Sequence, residues 1–394
     1  MKTIGYLSGA PRVSTLPEAE ATGPKSHILG FIKAFEKLDW EVKPFIVGNR
    51  MPKKLYSSGS RRLLSRSIIT RIFADLIRIY LGYKNEKIAY KEIGNVRFVY
   101  ERFGTFQHLG RTFKKHNIPW IIETNGPFYA EASEQRKSLA FKKIAKLLEY
   151  DAYKNCDLLV CVTNELKNII IKEFKLSPQK IFVIPNGVDT NLFDPNGVKK
   201  EKYFAFPTIG YVGALIPRQG LEMLIFVVSE LINEGIEIGL VIIGEGPEKI
   251  NLSQQIYQLK LNDHVKLLGL IPRDKIPEYI NGFDLGFSGQ LVIGNGHLSR
   301  MYHSPLKLYE YLSMGKPVIA SEYEDALRLL KDSKVGYLFT PGSKEALKNT
   351  IKFAISDQKE WKKKGEDARH MVINDHSWEG RIKLLIQKID EIEN

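Results

Sequence analysis

Long apolar runs are scarce in this chain of 394 residues. No stretch reaches the roughly 18 uncharged apolar residues that a membrane span needs. The N-terminus, MKTIGYLSGAPR, has too short an apolar run for a secretory signal peptide. We therefore expect a protein that is cytoplasmic or lies peripherally on the inner face of a membrane.

Cysteine is also scarce, with only Cys156 and Cys161, both in the apolar segment NCDLLVCV. In an extended strand, an odd separation of five residues directs two side chains to opposite faces. A disulfide or a pair of metal ligands is therefore not expected. Two buried thiols suit a reducing compartment.

Metal-binding patterns are missing as well. No Asp-x-Asp sequence occurs, and the eight histidines form no ligand-like cluster with cysteine or carboxylate residues. We expect no metal site and no cofactor. Any negative charge on a ligand must then be neutralised by cationic side chains and helix dipoles.

Positive charge is plentiful, since 58 Lys and Arg outnumber 45 Asp and Glu and leave a formal charge of +13. This excess favours acidic partners such as nucleic acid, anionic lipid or phosphorylated substrates. The chain has no recognition helix, zinc spacing or aromatic platform. We therefore expect no specific nucleic-acid partner and only weak nonspecific association.

Short apolar strands alternate with helices along the chain, which predicts parallel sheets covered on both faces. Strand-like runs occupy residues 3–7, 42–47, 96–100, 120–124, 158–163, 180–185, 208–213, 239–247, 265–271, 285–289, 316–321 and 335–340. The polar stretch NGVKKEK, residues 196–202, interrupts this alternation. We predict an α/β protein of two doubly wound domains facing a cleft, with limits at 1–198 and 203–372, and a C-terminal helix at 373–394 that could pack back on the first domain.

The stretch HSPLKLYEYLSMGKPVIAS, residues 303–321, indicates a capped helix followed by a buried strand. Ser304 is a good N-cap residue, Pro305 suits the first helical position, and Gly315 can end the helix. Lys307 is then the third helical residue, although a helix N-terminus is already positive. A lysine is useful there if the ligand is a phosphate, which the free backbone N–H groups also attract.

Glu310 lies three residues after Lys307 and therefore on the same helix face. Its carboxylate could accept hydrogen bonds from ribose hydroxyls. The alternative is a solvated surface pair of Lys307 and Glu310 with little energetic weight.

Several motifs together resemble glycosyltransferase family 4, whose members have the GT-B fold. They are IPNGVDTNLF, GYVGALIPRQGLEMLI, GEGP followed by VKLLGLIP, and SPLKLYEYLSMGKPVIAS, in the order found in that family. The resemblance implies two Rossmann-like domains, the first on the acceptor side and the second binding a nucleotide sugar. It also implies retaining sugar transfer without a bound metal.

The resemblance implies a role for each matching residue. Lys307 would hold the diphosphate of the donor, Glu310 its ribose, and the turn of Leu270, Ile271 and Pro272 its base. Gly9 and Gly213 would let the backbone approach the phosphates closely. The remaining donor positions are Ser304, Pro305 and Leu306 at the start of the helix.

The chain departs from the family pattern at three donor positions. Ala214 replaces the usual arginine after Gly213, Gln219 replaces the usual lysine, and Tyr302 replaces a glutamate. Arg218 is the nearby cation, and we expect it to take over the diphosphate contact. The alternative is an exposed loop arginine without a role.

The first domain offers further candidates at its strand ends. Asn125 replaces a histidine that many relatives place near the reacting carbon, and an amide can position a substrate but cannot act as a base. Glu101 and Arg102 are candidates for acceptor binding, or form a structural ion pair. His27, near the start of the first helix, is a further acceptor candidate. Glu123 is an outside candidate that we expect to be structural.

Residues 61–84, RRLLSRSIITRIFADLIRIYLGYK, have the composition of a basic amphipathic helix. Such a helix can lie on an anionic membrane, which would suit a lipid-linked acceptor. The alternative is a helix packed on the core with a solvated basic face.

These observations predict a glycosyltransferase that moves a hexose to a saccharide or lipid-linked saccharide in polysaccharide biosynthesis. Glucose from UDP-glucose is the favoured donor. The rival hypothesis is a nucleotide-sugar-binding protein of the same fold without catalysis, because Asn125, Ala214 and Tyr302 replace residues that relatives use.

Overall fold

The computed structural model describes residues 2–20, 22–52, 67–292, 302–331 and 334–393. The chain divides into two compact units. The first contains the residues up to Pro185 together with those from Arg381 onward. The second contains the described residues from Asn186 to Gly380. The domain limits expected from the sequence concern separately folding domains and stay a prediction.

A parallel six-stranded sheet forms the centre of the first unit, in the order β2-β1-β3-β4-β5-β6. Its strands are β1 (Thr3–Ser8), β2 (Glu41–Ile46), β3 (Phe98–Arg102), β4 (Trp120–Thr124), β5 (Leu158–Cys161) and β6 (Ile181–Val183). The helices are α1 (Gly23–Lys37), α2 (Ile68–Ile93), α3 (Arg111–Lys115), α4 (Lys142–Asn155) and α5 (Asn164–Phe174), with a single turn at Phe128–Ala130.

The second unit repeats this architecture with the strand order β12-β11-β10-β7-β8-β9. Its strands are β7 (Thr208–Val212), β8 (Gly239–Ile243), β9 (Val265–Gly269), β10 (Leu285–Ser288), β11 (Val318–Ser321) and β12 (Gly336–Phe339). The helices are α6 (Leu221–Asn233), α7 (Lys249–Gln258), α8 (Ile276–Asn281), α9 (Leu306–Ser313), α10 (Lys344–Ser356) and α11 (Trp361–Asp375), with a turn at Glu324–Ala326.

The last helix, α12 (Trp378–Glu393), begins in the second unit and continues in the first. Within the first unit, Arg97 donates to Asp390 at 2.5 Å and to Glu393 at 2.6 Å. These ion pairs attach the end of the chain to the loop before β3.

The strand order places the ligand-binding edge of each sheet. Strand order reverses between β1 and β3 in the first unit and between β7 and β10 in the second. Ligands of open parallel sheets bind beyond the carboxyl ends of the strands at such a reversal. The loops that begin at Gly9 and Gly213 lie at these two places. The predicted fold class, two parallel α/β sheets, is confirmed.

The two cysteines are buried and free. Cys161 lies in β5, whereas Cys156 follows α4, so strand alternation does not determine the relative directions of the two side chains. Burial raises the pKa of the Cys156 thiol to about 12 and also raises that of Cys161. Both thiols are therefore protonated at neutral pH.

The basic segment at residues 61–84 lies only partly in the described chain. Residues 61–66 lie outside it, Ser67 is the N-cap of α2, and the remaining residues belong to α2. The face of α2 that packs on the first unit carries polar residues such as Asp75 and Glu86, whereas the outward face is apolar. The expected core-packed helix with a solvated basic face is therefore wrong.

Candidate active site

The loop after β7 brings two backbone segments unusually close together. Gly213 has a φ of +153°, and a Cβ added to Gly244 would lie 1.9 Å from the Gly213 carbonyl oxygen. A Cβ on Gly213 itself would lie 2.9 Å from the Tyr211 hydroxyl and 3.1 Å from Lys307 Nζ. Glycine is therefore required at Gly213, where the backbone passes directly beside the lysine.

Helix α9 carries Lys307 into this position. The Tyr311 hydroxyl accepts a hydrogen bond from the Val212 N–H at 2.7 Å and fixes the helix against β7. The apolar residues Leu308 and Leu312 of the same helix are fully buried in the core. The apolar face of the helix thus points inward and leaves its N-terminus at the carboxyl edge of the sheet.

Ser304 does not cap this helix, which corrects the sequence expectation. Helix α9 begins at Leu306 with Pro305 as the N-cap residue, so Lys307 is its second residue. The Ser304 hydroxyl donates to Asp325 at 2.5 Å and accepts from the Asn186 N–H at 3.0 Å. Because proline has no side-chain acceptor, the first N–H groups of the helix are available to an anion.

Lys307 is held by uncharged groups. Its ammonium donates to Gln219 Oε1 at 2.5 Å and lies 4.1 Å from the centre of the Tyr211 ring. Burial lowers the pKa of Lys307 to about 7, although the nearby Glu310 carboxylate acts in the opposite direction. An anionic ligand would offset this desolvation and restore the charged form.

Gln219 is the residue that stands where the family usually has a lysine. In the structure it lies at the end of a single helical turn, Pro217–Gln219, that precedes α6. Its side chain reaches the lysine 88 residues further along the chain. The replacement of the family's lysine was visible in the sequence, but the contact with Lys307 depends on tertiary structure.

The structure places Arg218 against His303. One guanidinium nitrogen contacts the His303 Nε2 atom. Burial and this guanidinium lower the pKa of His303 to about 3, so its ring is neutral at pH 7. The expected contact of Arg218 with a diphosphate stays a prediction. Its side chain is half-buried, which argues against an exposed arginine without contacts.

Glu310 pairs with Arg273 and not with Lys307. The Arg273 guanidinium donates to Glu310 Oε1 at 2.7 Å, and the Glu310 side chain is only 5% exposed. The alternative of a solvated pair with Lys307 is therefore wrong. Arg273 follows the turn of Leu270, Ile271 and Pro272, so one ion pair ties the predicted ribose residue to the predicted base-binding turn. The roles of these residues stay predictions.

A second cluster lies in the first unit, where Glu123 is bound by four side chains. Tyr100 donates to Glu123 at 2.7 Å, Arg102 at 2.6 Å and Asn125 at 2.5 Å, and His27 Nε2 lies 3.2 Å away. Burial alone would raise the pKa of Glu123. The His27 and Arg102 contacts nevertheless hold this pKa well below its usual range, so the carboxylate is ionised.

Strand geometry explains why this cluster forms. Arg102 and Glu123 are directly paired residues of β3 and β4. Tyr100 lies two residues before Arg102 and hence on the same face of the sheet. His27 reaches the cluster from α1, and burial lowers its pKa despite the neighbouring carboxylate. The cluster is an ionised carboxylate surrounded by donors, and Asn125 is its half-exposed member.

Glu101 is separate from this cluster, which corrects two expectations. Adjacent strand residues point to opposite faces, so Glu101 cannot pair with Arg102. Its buried carboxylate accepts from the N–H groups of Leu109 at 2.9 Å and Gly110 at 2.8 Å, and from Trp120 Nε1 at 2.8 Å. Glu101 is 0% exposed and therefore structural, not an acceptor-binding residue.

Gly9 has a packing role that the sequence did not reveal. A Cβ at this position would lie 2.6 Å from the Gln107 Cβ and 3.3 Å from the Gly104 backbone nitrogen. The loop after β1 thus needs glycine even without a ligand. The expected approach of Gly9 to a diphosphate stays a prediction.

Within the described ranges, no three His, Cys, Asp or Glu side chains are grouped so as to hold a metal ion. The described helices also include none that is long and apolar enough to cross a membrane.

Comparison with known proteins identifies the family. The model of Glycosyltransferase Family 4 matches residues 22–192, and that of Glycosyl transferases group 1 matches residues 193–371. The chain belongs to glycosyltransferase family 4. As a family 4 enzyme, it transfers a sugar from a nucleotide sugar, and the predicted enzyme class is confirmed. The rival hypothesis of a binding protein without catalysis is not supported.

Two curated relatives illustrate the range within the family. The chain is 29% identical over 286 residues to UDP-Gal:alpha-D-GlcNAc-diphosphoundecaprenol alpha-1,3-galactosyltransferase of Escherichia coli, covering 70% of this chain and 68% of that protein. It is 30% identical over 153 residues to the GPI3 subunit of phosphatidylinositol N-acetylglucosaminyltransferase from Saccharomyces cerevisiae, covering 38% of this chain and 34% of that protein.

Solved structures confirm the GT-B fold. Sucrose-phosphate synthase from Thermosynechococcus elongatus superposes with a TM-score of 0.71 at 16% identity, covering 100% of this chain and 99% of that one. The Anabaena protein HepE, in complex with UDP and glucose, superposes with a TM-score of 0.67 at 19% identity, covering 99% of each chain.

Proposed function

We propose that this protein is a retaining, metal-independent hexosyltransferase that moves glucose from UDP-glucose to a saccharide or lipid-linked saccharide during polysaccharide biosynthesis. The observation that carries the donor half is Lys307, a partly buried lysine beside the Gly213 backbone at the start of α9. Among the described residues, its ammonium donates to an amide and not to a carboxylate, and a partly buried cation held in this way is suited to a phosphate group.

The proposed donor site combines three kinds of contact. Lys307 and the first N–H groups of α9 bind the diphosphate, and Arg218 adds a second cation. Glu310, held by Arg273 at 2.7 Å, accepts from the ribose hydroxyls. The turn of Leu270, Ile271 and Pro272 presents backbone groups to the base. Leu270 is 49% exposed, so this turn is accessible to a ligand.

In the proposed reaction, the bond between the anomeric carbon and the β-phosphate oxygen breaks, and its electron pair goes to the diphosphate. The acceptor oxygen bonds to the same face of the anomeric carbon, and its proton passes to the departing phosphate oxygen. No enzyme nucleophile is required. Lys307 lowers the barrier by stabilising negative charge on the diphosphate, the role that a metal ion has in other transferases.

In the first unit, we assign Asn125 a positioning role and propose that Arg102 and His27 contribute to the acceptor side. The ionised Glu123 carboxylate fixes the Asn125 amide by accepting its hydrogen bond at 2.5 Å. An amide held in this way can orient a sugar hydroxyl through its remaining donor and acceptor.

The relatives support a lipid-linked acceptor. The name of the E. coli enzyme gives a diphosphoundecaprenol acceptor, and that of the yeast enzyme gives phosphatidylinositol. The proposal accordingly places the enzyme in the cytoplasm at the inner face of a membrane, where nucleotide sugars and lipid-linked saccharides meet.

A galactosyltransferase is the second candidate, because the E. coli relative takes UDP-Gal as donor. Both candidates are tested by incubating the purified protein and undecaprenyl-diphosphate-linked saccharides with one donor at a time, in parallel with and without EDTA. The donors are UDP-glucose, UDP-galactose, UDP-N-acetylglucosamine, GDP-mannose and ADP-glucose. We expect the fastest transfer from UDP-glucose, with an α-configured product by NMR. A β-configured product, or loss of turnover with EDTA, would contradict the mechanism, and faster transfer from UDP-galactose would favour the second candidate.

A further inference from the structure

Helix α2 has its apolar residues on the outward face. Six large side chains there are each between 46% and 64% exposed: Ile69, Phe73, Leu76, Ile77, Tyr80 and Tyr83. Their spacing of mostly three or four residues places them on a single stripe. At about 1.5 Å per residue, this stripe extends roughly 21 Å along the helix.

The opposite face of α2 is packed on the first unit through polar contacts. Asp75, which is 0% exposed, accepts from the N–H groups of Ala140 at 2.7 Å and Phe141 at 3.0 Å. It also accepts from Arg78 at 2.8 Å.

Further along the same face, Glu86 accepts from the Thr112 hydroxyl at 2.7 Å. A Cβ on Gly82 would lie 2.2 Å from the Phe106 carbonyl oxygen. Rotating α2 to hide the apolar stripe would leave Asp75 and Glu86 without these partners and would remove the close contact at Gly82, so the stripe is fixed outward.

The same outward face continues as a row of lysines. Lys84, Lys87 and Lys91 are exposed and lie about one to three turns after Tyr80. The acidic residues of α2 are elsewhere, because Asp75 and Glu86 are buried and Glu92 pairs with Arg50. The stripe and the lysines together, which we call the α2 face, therefore carry apolar and positive groups and no carboxylate.

We propose that the α2 face is a docking surface for an anionic phospholipid membrane. Apolar side chains enter the interface between headgroups and acyl chains, and lysines bind anionic headgroups. Tyr80 and Tyr83 lie where the apolar part meets the lysines, which is the position that amphipathic aromatic rings take at a membrane interface. The helix lies along the surface, consistent with the finding that no described helix can span a bilayer.

A membrane fits the α2 face better than a second copy of the chain does. In a parallel pairing of two α2 helices, the three lysines of each would lie next to those of the other. In an antiparallel pairing, they would lie against apolar side chains. Both arrangements bury ammonium groups without a carboxylate, which is costly. An anionic lipid layer offers acyl chains to the apolar stripe and negatively charged headgroups to the lysines.

The test is flotation of the full-length protein with vesicles of phosphatidylcholine alone or with 30% phosphatidylglycerol. The wild type should bind the anionic vesicles and bind neutral vesicles much more weakly. The double variant Phe73→Glu, Ile77→Glu should lower the partition coefficient by about tenfold or more. The double variant Lys84→Glu, Lys87→Glu should lower it by at least about fivefold per lysine on anionic vesicles only.

Two matched controls separate this surface from general effects. Ile250→Glu, Tyr257→Glu changes two apolar side chains of α7 that are 68% and 75% exposed. Lys362→Glu, Lys363→Glu makes the same charge change on α11. Neither should reduce binding by more than about twofold, because neither pair of residues belongs to the α2 face. All variants should keep the wild-type circular dichroism spectrum, since the changed side chains are exposed.

Absence of wild-type binding to anionic vesicles would overturn the proposal. So would equal binding by the α2 variants, or sedimentation showing a dimer that Phe73→Glu, Ile77→Glu dissociates. The inference extends the proposed lipid-linked acceptor, but flotation needs no sugar donor. If the protein does not bind vesicles but transfers sugar to a water-soluble acceptor, the docking surface is refuted and the proposed reaction is not. If it binds anionic vesicles but transfers no sugar, the proposed reaction is refuted and the docking surface is not.

Discussion

Lys307 Nζ lies 2.5 Å from Gln219 Oε1, so the partly buried ammonium is held by a neutral amide. A carboxylate in place of this amide would neutralise the lysine and repel a diphosphate. The amide instead positions the charge without cancelling it. This relationship is the basis of the proposed donor site and of three predictions.

Replacing Lys307 with alanine should lower kcat/KM by about 10²- to 10³-fold, as for loss of one group that stabilises developing charge. The fold should survive, because the lysine makes no contact on which the core depends. Steady-state kinetics with circular dichroism checks this. The control is Lys352→Ala, a surface lysine paired with Glu234, which should keep wild-type rates. Comparable rates in both variants would refute the role of Lys307.

The affinity for UDP-glucose should depend on pH through Lys307. The free enzyme has a lysine pKa of about 7, and the bound diphosphate raises it. Binding therefore takes up a proton above pH 7, and Kd should rise up to tenfold per pH unit between pH 7 and the pKa of the complex. Calorimetry from pH 6 to 9 measures this, because UDP-glucose has no phosphate group that titrates in the range. A constant Kd would contradict the account.

Changing Gln219 to glutamate should weaken UDP-glucose binding at pH 7 by at least about tenfold, because the new carboxylate repels the diphosphate and pairs with Lys307. The pH dependence should also disappear up to about pH 9, since the carboxylate raises the lysine pKa. Gln219→Ala removes only a hydrogen bond and should keep the pH dependence. Identical profiles for the two variants would argue against a direct contact between position 219 and the ligand-binding lysine.

Removal of the Glu310 carboxylate should affect recognition of ribose. Glu310→Ala should weaken UDP binding about 10- to 100-fold, as for a lost hydrogen bond to a charged group, and should leave unchanged the weak binding of an analogue that lacks both ribose hydroxyls. Arg273→Ala should show a smaller effect, because Arg273 only positions Glu310. Equal losses for UDP and the analogue in Glu310→Ala would show that the carboxylate stabilises the site without contacting ribose.

The Glu123 cluster should stabilise the first unit. Glu123→Gln leaves Arg102 partly buried without its carboxylate and should cost about 3 to 5 kcal/mol of unfolding free energy. The folded pKa lies below the unfolded value of about 4.3, so this stabilisation is complete above that pH and is lost as the pH falls through the folded pKa.

Denaturant unfolding at pH 7 and pH 3 measures the Glu123 effect. The difference between wild type and Glu123→Gln should be smaller at pH 3. Glu92→Gln, which breaks an exposed pair with Arg50, is the control and should cost about 1 kcal/mol or less. Equal costs for the two variants would mean that burial does not distinguish the two carboxylates.

The strands were predictable because each is an apolar run bounded by loop residues, and β4 at Trp120–Thr124 matches the predicted run at both ends. The position of Lys307 in the first turn of α9 was predictable from the proline, the apolar spacing and the glycine of this stretch, and its role stays a prediction. Alternation along a strand could also have separated Glu101 from Arg102, since adjacent residues point to opposite faces. The expected ion pair between Glu101 and Arg102 could therefore have been excluded from the sequence alone.

Other contacts depend on tertiary structure. Ser304 is a strong N-cap residue in sequence terms, but Asp325 and Asn186 engage its hydroxyl, and local propensity cannot reveal such distant partners. The Arg273–Glu310 pair joins residues 37 positions apart. The apolar face of an amphipathic helix usually packs on the core, but that of α2 faces outward. The reason is that buried polar residues such as Asp75 form hydrogen bonds with a loop 65 residues away.

The most direct test of the donor site is a crystal structure of the protein with UDP in the presence of EDTA. The account predicts a diphosphate oxygen within about 2.7 to 2.9 Å of Lys307 Nζ, at the distance of a charge-assisted hydrogen bond. It also predicts phosphate contacts from the first N–H groups of α9. A diphosphate bound away from Lys307, or binding that requires a divalent metal, would contradict it.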